Sequence, residues 1–168
     1  MNRATLANLA LPSAKQGGIT YVYLFREMDA GRLIIPDYQR GRVWSAEQSS
    51  LFAGFVLTGG QPPPIWIQEY PDADIEEIVD GLQRISAMRA FFDGEIPAEL
   101  PNGERVYRRN LDDDCAGMLK GLYLTKMIVR LPRRADVLRL YLRLNRGGTV
   151  HTDAEIGRVA ALLAKETP

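Results

Sequence analysis

Two short phrases in this chain place a turn-forming residue directly after an apolar run, and each ends in a glutamine followed by an arginine. They are Ile35-Pro36-Asp37-Tyr38-Gln39-Arg40 and Val79-Asp80-Gly81-Leu82-Gln83-Arg84. An apolar run closed by proline or glycine is typical of a strand that ends in a turn. An amide beside a guanidinium at such a strand end can hold phosphate oxygens together with a base or a water molecule. Two matching phrases therefore predict one composite anion site.

The second phrase also has the features of a helix start. Asp80 lies at the N-cap position and Gln83 follows three residues later, as in a capping box. Backbone N–H groups at a helix start attract anions, and Gly81 lets the chain approach a ligand closely. Arg84 adds a forked cationic donor, while the Gln83 amide can both donate and accept. Two roles, which do not exclude each other, are open for Asp80: it caps the helix, or it holds Mg²⁺ or orients attacking water in phosphoryl transfer.

The first phrase supplies Gln39 and Arg40 behind the rigid Pro36. Tyr38 either stacks on a base or packs in the core, and packing is the more common role of a single tyrosine. Trp44, shortly afterwards, is expected in the core or as an apolar staple at the entry of the next helix.

The remaining patterns predict an α+β fold: a small mixed sheet with helices packed on it and a helical C-terminal end. Strands are predicted near residues 33–35, 65–67, 75–79, 106–107 and 127–131. Helices are predicted near residues 20–30, 45–59, 80–94, 135–144 and 152–163, with a weakly marked one at 111–119 and a loop at 97–103. We expect a loose N-terminal arm (1–18), a main domain (19–131) and a helical C-terminal portion packed on it (132–168).

Two predicted helix faces bear on the site. The helix that begins with the capping box Ser45 to Gln48 is expected to carry four large apolar residues on one face: Leu51, Phe52, Phe55 and Val56. The helix after Asp80 is expected to bury three residues, Leu82, Ile85 and Phe92.

Charge is balanced overall but uneven along the chain. The 21 basic and 21 acidic residues cancel, so net charge gives no reason to expect a nonspecific nucleic-acid or membrane binder. Six acids and no base occur over residues 69–80, and seven bases with one acid occur over residues 126–146. The basic run is either solvated surface or a nucleic-acid contact, which would be made by Arg130, Arg133, Arg134, Arg139, Arg143 and Arg146.

The chain lacks residues that several other functional classes require. Cys115 is the single cysteine and His151 the single histidine, so neither a disulfide framework nor a zinc site built from cysteine is expected. No apolar stretch reaches the about 18 residues of a membrane span. We expect a cytoplasmic protein.

Several phrases, taken in order, resemble the N-terminal domain of GmrSD-type modification-dependent restriction enzymes. These phrases are 35–40, Val43-Trp44, 59–64, 79–84 and the segment 142–149 with Glu155. The family, domain-of-unknown-function family 262, is related to the ParB and sulfiredoxin fold. The resemblance implies a ParB-like domain that binds and hydrolyses a nucleoside triphosphate. Its implied functional residues are Gln39, Arg40, Asp80, Gly81, Gln83 and Arg84, with Asn145 at the border of the pocket.

Two features depart from the family pattern. Leu82 replaces a glutamine: if it contacts ligand, hydrolysis is weakened, and if it faces the core, leucine is harmless. Helical spacing from Ile85 favours the core. The full restriction enzymes also carry an HNH-type nuclease domain, which needs several histidines, and we do not expect that chemistry here.

Three functional hypotheses follow. The first is a nucleotide-binding domain with Mg²⁺-dependent nucleoside triphosphate hydrolysis in DNA restriction, defence against phage or its control. The second is a non-enzymatic DNA-binding regulator, or a decoy that blocks a restriction enzyme. The third is an assembly protein that kept the fold and lost the ligand. The expected partners are a nucleoside triphosphate, DNA or a restriction protein, and a second copy of the chain.

Overall fold

A mixed sheet covered by helices on both faces forms the frame of this chain. The computed structural model describes residues 10–39, 41, 43–145 and 153–166. Its strands are β1 (Lys15–Thr20), β2 (Leu33–Ile34), β3 (Ile65–Tyr70), β4 (Ile75–Asp80), β5 (Ala98–Glu99), β6 (Arg105–Val106) and β7 (Tyr123–Val129). Its helices are α1 (Tyr21–Asp29), α2 (Ala46–Leu57), α3 (Leu82–Phe92), α4 (Asp113–Met118), α5 (Arg134–Asn145) and α6 (Asp153–Glu166).

Five of these strands pair in the order β1-β7-β3-β4-β2. β1 is antiparallel to β7 and β3 is antiparallel to β4, whereas β3–β7 and β2–β4 are parallel pairs. The short strands β5 and β6 form a separate antiparallel pair. The predicted α+β class with a small mixed sheet is confirmed.

Alternating side chains divide the core between the two faces of the sheet. Ile65 and Ile67 of β3 are buried with residues of α1, α2 and α3, while Trp66 between them packs in a second cluster with residues of α5 and α6. In β4, Ile78 belongs to the first cluster and Val79 to the second. The predicted helical C-terminal portion therefore packs across the second face of the sheet.

The predicted N-terminal arm is wrong over residues 15–18. These residues belong to β1, which pairs with β7 from Lys15 to Thr20. Backbone pairing with β7 needs no side-chain pattern, which explains why Gly17 and Gly18 concealed a strand. Residues 1–9 lie outside the described part of the chain. The predicted loop 97–103 is also partly wrong, because β5 lies within it.

The four apolar residues predicted on one face of α2 differ in burial. Leu51 is 49% exposed and Phe55 is 47% exposed, whereas Val56 is buried and Phe52 is partly buried. The helix instead buries a set of small residues, Ser50, Ala53 and Gly54. A Cβ on Gly54 would lie 1.7 Å from the Glu99 carbonyl oxygen of β5, so the helix backbone approaches β5 more closely than larger side chains allow.

The predicted helix starts have different outcomes. Ser45 and Gln48 form the predicted capping box at the start of α2, with the Gln48 backbone N–H donating to Ser45 Oγ at 3.1 Å. Residue 152, where the last helix was predicted to begin, lies outside the described residues. No helix in the described ranges is long and apolar enough to cross a membrane.

Candidate functional site

The turn between β4 and α3 is built around Gly81. Its φ of +104° lies in the left-handed region, and an added Cβ would be 2.4 Å from Ile65 Cγ2 of the neighbouring strand. Glycine is therefore required by backbone conformation and by packing against β3. The space where a side chain would stand is filled by Ile65, and the predicted close approach of Gly81 to a ligand stays a prediction.

The N-cap of α3 is Gly81, and no side chain caps the helix. The prediction that Asp80 is the N-cap is wrong, because its carboxylate accepts a bond from Arg84 Nη2 at 2.5 Å. The first-turn N–H groups of α3 have no acceptor within the helix. The helix start is thus open to an external acceptor.

Arg84 joins three parts of the structure. Besides binding Asp80, its Nη1 donates to the carbonyl oxygens of Pro63 and Pro64, the latter at 3.2 Å. The side chain is only 14% exposed and that of Asp80 is 29% exposed. The guanidinium is consequently held in place on the loop before β3, and its charge is balanced by a neighbouring carboxylate.

The two glutamines of the phrases hold the segment that follows β2. Gln39 Nε2 donates to the carbonyl oxygens of Ile78 and Val79, at 3.2 and 2.7 Å. Gln83 Oε1 accepts from the Val43 N–H at 2.8 Å. These bonds tie the segment to β4 and to the first turn of α3.

The Gln83 amide has two further partners in the same segment. Its Oε1 also accepts from the Trp44 N–H at 3.2 Å, and its Nε2 donates to the Gly41 carbonyl at 3.0 Å. The amide is therefore a latch that holds Gly41, Val43 and Trp44. Arg40 lies outside the described residues.

Tyr38 is in the core and not in the site, which corrects the prediction that it could stack on a base. The side chain is fully buried, its hydroxyl donates to Glu77 Oε1 at 2.7 Å, and its ring packs edge-on against Tyr141 at 5.1 Å. Burial, with Glu77 beside the hydroxyl, raises the pKa of Tyr38 well above its usual 10.0. The hydroxyl therefore stays protonated and serves as a donor to a buried carboxylate.

A cavity of about 440 Å³ lies in front of the start of α3. Its lining comprises Gln39, Trp44, Phe52, Phe55, Pro63, Asp80, Gly81, Leu82, Gln83, Arg84, Tyr141, Leu144 and Asn145. Of the predicted composite site, Gln39, Gln83 and Arg84 thus converge on one cavity with Asp80 in its wall. The volume falls within the about 300–1,000 Å³ of small-molecule sites.

Leu82 and Asn145 occupy the positions expected of them. Leu82 is 4% exposed and packs in the first core cluster, and it also forms part of the cavity wall. Asn145 lies in the cavity wall at the C-terminal end of α5, where its Nδ2 donates to the Tyr141 carbonyl at 2.8 Å. A helix from the second face of the sheet therefore closes one side of the cavity.

Three aromatic residues in the cavity wall were not predicted as site residues. They are Trp44, expected in the core or at a helix entry, and Phe52 and Phe55, expected on one face of the following helix. The available signal was the small-residue face of α2, because burying that face turns the aromatic positions of the helix towards the cavity.

The basic run is paired within the protein over its described part. Arg130 Nε lies 2.7 Å from Glu69 Oε2, and this hydrogen bond lowers the pKa of Glu69 below its usual range. Lys126 Nζ lies 3.0 Å from Glu76 Oε1, so the acidic and basic runs meet across the sheet. The other described arginines are also bound: Arg133 and Arg139 to Asp136, Arg134 to Asp37, and Arg143 to the Ala10 carbonyl. Arg146 lies outside the described residues.

These contacts bear on the DNA-binding alternative, which stays a prediction. A phosphate that approached Arg130 or Arg133 would compete with a carboxylate for the same guanidinium. Both side chains are well exposed, 67% and 71%, so exchange of partner is sterically open.

Acidic clusters suited to metal binding do not occur in the described ranges: no group of three or more His, Cys, Asp or Glu side chains could hold an ion there. Asp80 contributes a single carboxylate to the cavity. This fits Mg²⁺ bound through one or two carboxylates plus substrate phosphates, and it does not fit a cage made by protein alone.

The fold and the cavity define a small α+β domain with an open helix start beside a fixed arginine. Residues 23–161 match the family described as GmrSD restriction endonuclease, N-terminal domain, and the chain belongs to this family. The predicted family resemblance is thereby confirmed. No curated protein matches the chain significantly.

Among solved structures, the chain is similar to a C-terminally truncated chromosome-partitioning protein ParB from Caulobacter crescentus, complexed with CTP-gamma-S. The identity is 16% and the TM-score is 0.46. The match covers 90% of this chain and 63% of the length of that chain.

Proposed function

We propose that this domain binds a nucleoside triphosphate in the cavity at the start of α3, as part of a DNA restriction system. One observation carries the proposal: an uncapped helix N-terminus and an arginine in the first turn of that helix face the same 440 Å³ cavity. Free first-turn N–H groups and the positive end of the helix dipole favour a phosphate group there. Membership in a family of restriction endonuclease domains supports the biological setting.

Arg84 is the main cation for the phosphates in this proposal. Its forked guanidinium suits bidentate binding of phosphate oxygens, and its bonds to the loop carbonyls orient it before a ligand arrives. Arg40, in the first phrase, is the second candidate for this role.

Asp80 is the residue that would hold Mg²⁺ together with the phosphates. The ion would supply charge neutralisation of the triphosphate. Ligation of an ion by Asp80 would also release Arg84 from its carboxylate partner, so the metal and the arginine act on the same phosphates without competing.

The proposal also includes hydrolysis of the bound triphosphate. In this step Gln83 and Asp80 would orient the attacking water. The three bonds of the Gln83 amide to residues 41–44 fix its orientation, and its second Nε2 hydrogen is available for a further acceptor.

Thermal unfolding with ATP, CTP, GTP, UTP and inorganic tripolyphosphate, each with and without Mg²⁺, tests the proposal. A ligand at 100 times its dissociation constant adds about 2.7 kcal/mol to the free energy of unfolding. We expect this shift with at least one nucleotide and its loss in Arg84→Gln.

The matched control is Arg89→Gln, on the same helix and also paired with an aspartate, Asp93 at 2.8 Å. Arg89 is absent from the lining of this cavity. No shift with any of the five ligands, or equal losses in the two variants, would contradict the proposal.

A further inference from the structure

Three aromatic rings form a continuous wall on the side of the cavity contributed by α2. We call Trp44, Phe52 and Phe55 the aromatic wall. The rings of Trp44 and Phe52 are 5.3 Å apart in an edge-on arrangement, and those of Phe52 and Phe55 are 6.4 Å apart and tilted. All three line the same cavity as Arg84.

Phe55 is the most exposed member of the wall. It is 47% exposed although it is a large apolar side chain on a helix whose other face is buried. Leu51 lies one turn before it and is equally exposed, but it does not line the cavity. The cavity therefore has an open aromatic ring at its edge.

Gly60 leaves the space that this ring occupies. The Gly60 N–H donates to the Phe55 carbonyl at 2.8 Å, and a Cβ on Gly60 would lie 2.4–2.5 Å from three atoms of the ring. Only a residue without a side chain leaves room for the ring at this place. The ring is thus held by the backbone on one side while half of the residue stays open to the cavity and to solvent.

We propose that the aromatic wall binds the nucleobase of the ligand, with Phe55 as the stacking residue, while the phosphates lie at the start of α3. This inference rests on the proposed nucleotide binding. An aromatic side chain offers a π-face on which any base can stack, which makes a flat heteroaromatic ring the fitting ligand. The cavity is then divided into an apolar, aromatic part for the base and a polar part for the phosphates.

The division of the cavity predicts a difference between two probes. A nucleoside triphosphate uses both parts, whereas inorganic tripolyphosphate uses only the phosphate part. Base stacking on an aromatic side chain contributes roughly a five- to hundredfold factor in affinity. We expect Phe55→Leu to weaken binding of the best of ATP, CTP, GTP and UTP by at least about fivefold, and to leave tripolyphosphate binding unchanged.

Two further variants separate stacking from packing. Phe55→Tyr keeps the ring and should restore nucleotide affinity, and Leu51→Ala removes an equally exposed apolar side chain from the same helix and should change neither probe. Thermal unfolding without ligand checks that each variant is folded.

Fluorescence gives a second readout, because Trp44 and Trp66 are the only tryptophans of the chain. In a Trp66→Phe background, a nucleotide should change Trp44 emission and tripolyphosphate should not.

Each result decides between the hypotheses. Equal weakening of nucleotide and tripolyphosphate in Phe55→Leu would overturn base stacking and give Phe55 a merely structural role. Unchanged nucleotide affinity in Phe55→Leu, with loss of both probes in Arg84→Gln, would overturn the base site and leave nucleotide binding intact. A change in self-association on mutation of Phe55, without a change in nucleotide affinity, would make the wall a protein interface. Failure of the unmutated protein to bind either probe would remove the proposed function and this inference together.

Discussion

The carboxylate of Asp80 is bound to the guanidinium of Arg84 across the first turn of α3, with Oδ2 and Nη2 2.5 Å apart. Both residues line the cavity in which a phosphate group is proposed to bind. An incoming phosphate therefore meets an arginine that already has an anionic partner. Affinity for polyphosphate depends on how readily Asp80 gives up that contact.

Asp80→Asn should strengthen binding of tripolyphosphate and of metal-free nucleotide. The substitution keeps the shape of the side chain and removes the charge that competes for Arg84. A hydrogen bond to a charged group contributes about 1.5–3 kcal/mol, so we expect a gain of about tenfold or more in the presence of EDTA. Isothermal titration calorimetry measures it directly.

The same variant tests the metal role. If Asp80 ligates Mg²⁺, the variant should lose most of the affinity that Mg²⁺ adds in the unmutated protein. Asp93→Asn is the control, because Asp93 pairs with Arg89 at the same spacing on the same helix. Weaker binding of tripolyphosphate by Asp80→Asn in EDTA would show that Asp80 does not compete with phosphate for Arg84.

Gln83→Ala should free the segment that the amide holds. The N–H groups of Val43 and Trp44 lose their acceptor, and a net contribution of about 0.5–1.5 kcal/mol per bond predicts roughly two- to tenfold faster hydrogen exchange at both. Gln48→Ala, which removes only the neighbouring capping box, should leave these two amides protected. Unchanged exchange in Gln83→Ala would mean that the latch does not hold the segment.

Kinetics distinguishes the latch from the water-positioning role of Gln83. Loss of the latch moves Trp44, which lines the cavity, and should raise KM for any nucleotide that is hydrolysed. Loss of a water-positioning group should lower kcat with KM unchanged.

Local sequence signals predicted most elements of the fold. The capping box at Ser45 depends on neighbours in sequence, and it occurs as predicted. The convergence of Gln39, Gln83 and Arg84 was predicted from the matching contexts of the two phrases, and the pairing of β2 with β4 accounts for it.

The failures have a common cause in contacts between distant residues. Aspartate is a common N-cap residue, but the carboxylate of Asp80 is bound by Arg84 four residues later. Tyr38 is a core residue, and its buried hydroxyl donates to Glu77 of β4. The burial of the small residues of α2 depends on β5, which lies in a segment that the sequence pattern predicted to be a loop.

Gly54→Ala should destabilise the protein although alanine is the better helix former. Helix propensity favours alanine over glycine by about 1 kcal/mol. The new Cβ, however, would be 1.7 Å from the Glu99 carbonyl oxygen, so α2 and β5 must separate. We expect a net loss of about 1–3 kcal/mol in the free energy of unfolding, measured with urea.

Gly157→Ala is the matched control for this substitution. Gly157 lies within α6, and an added Cβ meets no atom within 4 Å. It should therefore stabilise the protein by roughly 0.5–1 kcal/mol. If both substitutions stabilise, the close packing of α2 on β5 is wrong.

Low pH should destabilise the start of α5, because it protonates Asp136. Hydrogen bonds from Arg133 and Arg139, at 2.9 and 2.7 Å, hold the pKa of this carboxyl below its ordinary value of 3.8. A carboxyl whose pKa is lower in the folded state stabilises the fold fully above its unfolded pKa and loses this effect as the pH falls through the folded pKa. The stability difference between the unmutated protein and Asp136→Asn should therefore be constant from pH 7 to about pH 5 and shrink below about pH 4. Urea unfolding of both proteins at each pH measures this difference, and a value that stays flat down to pH 3 would show that the ion pairs of Asp136 contribute nothing to the fold.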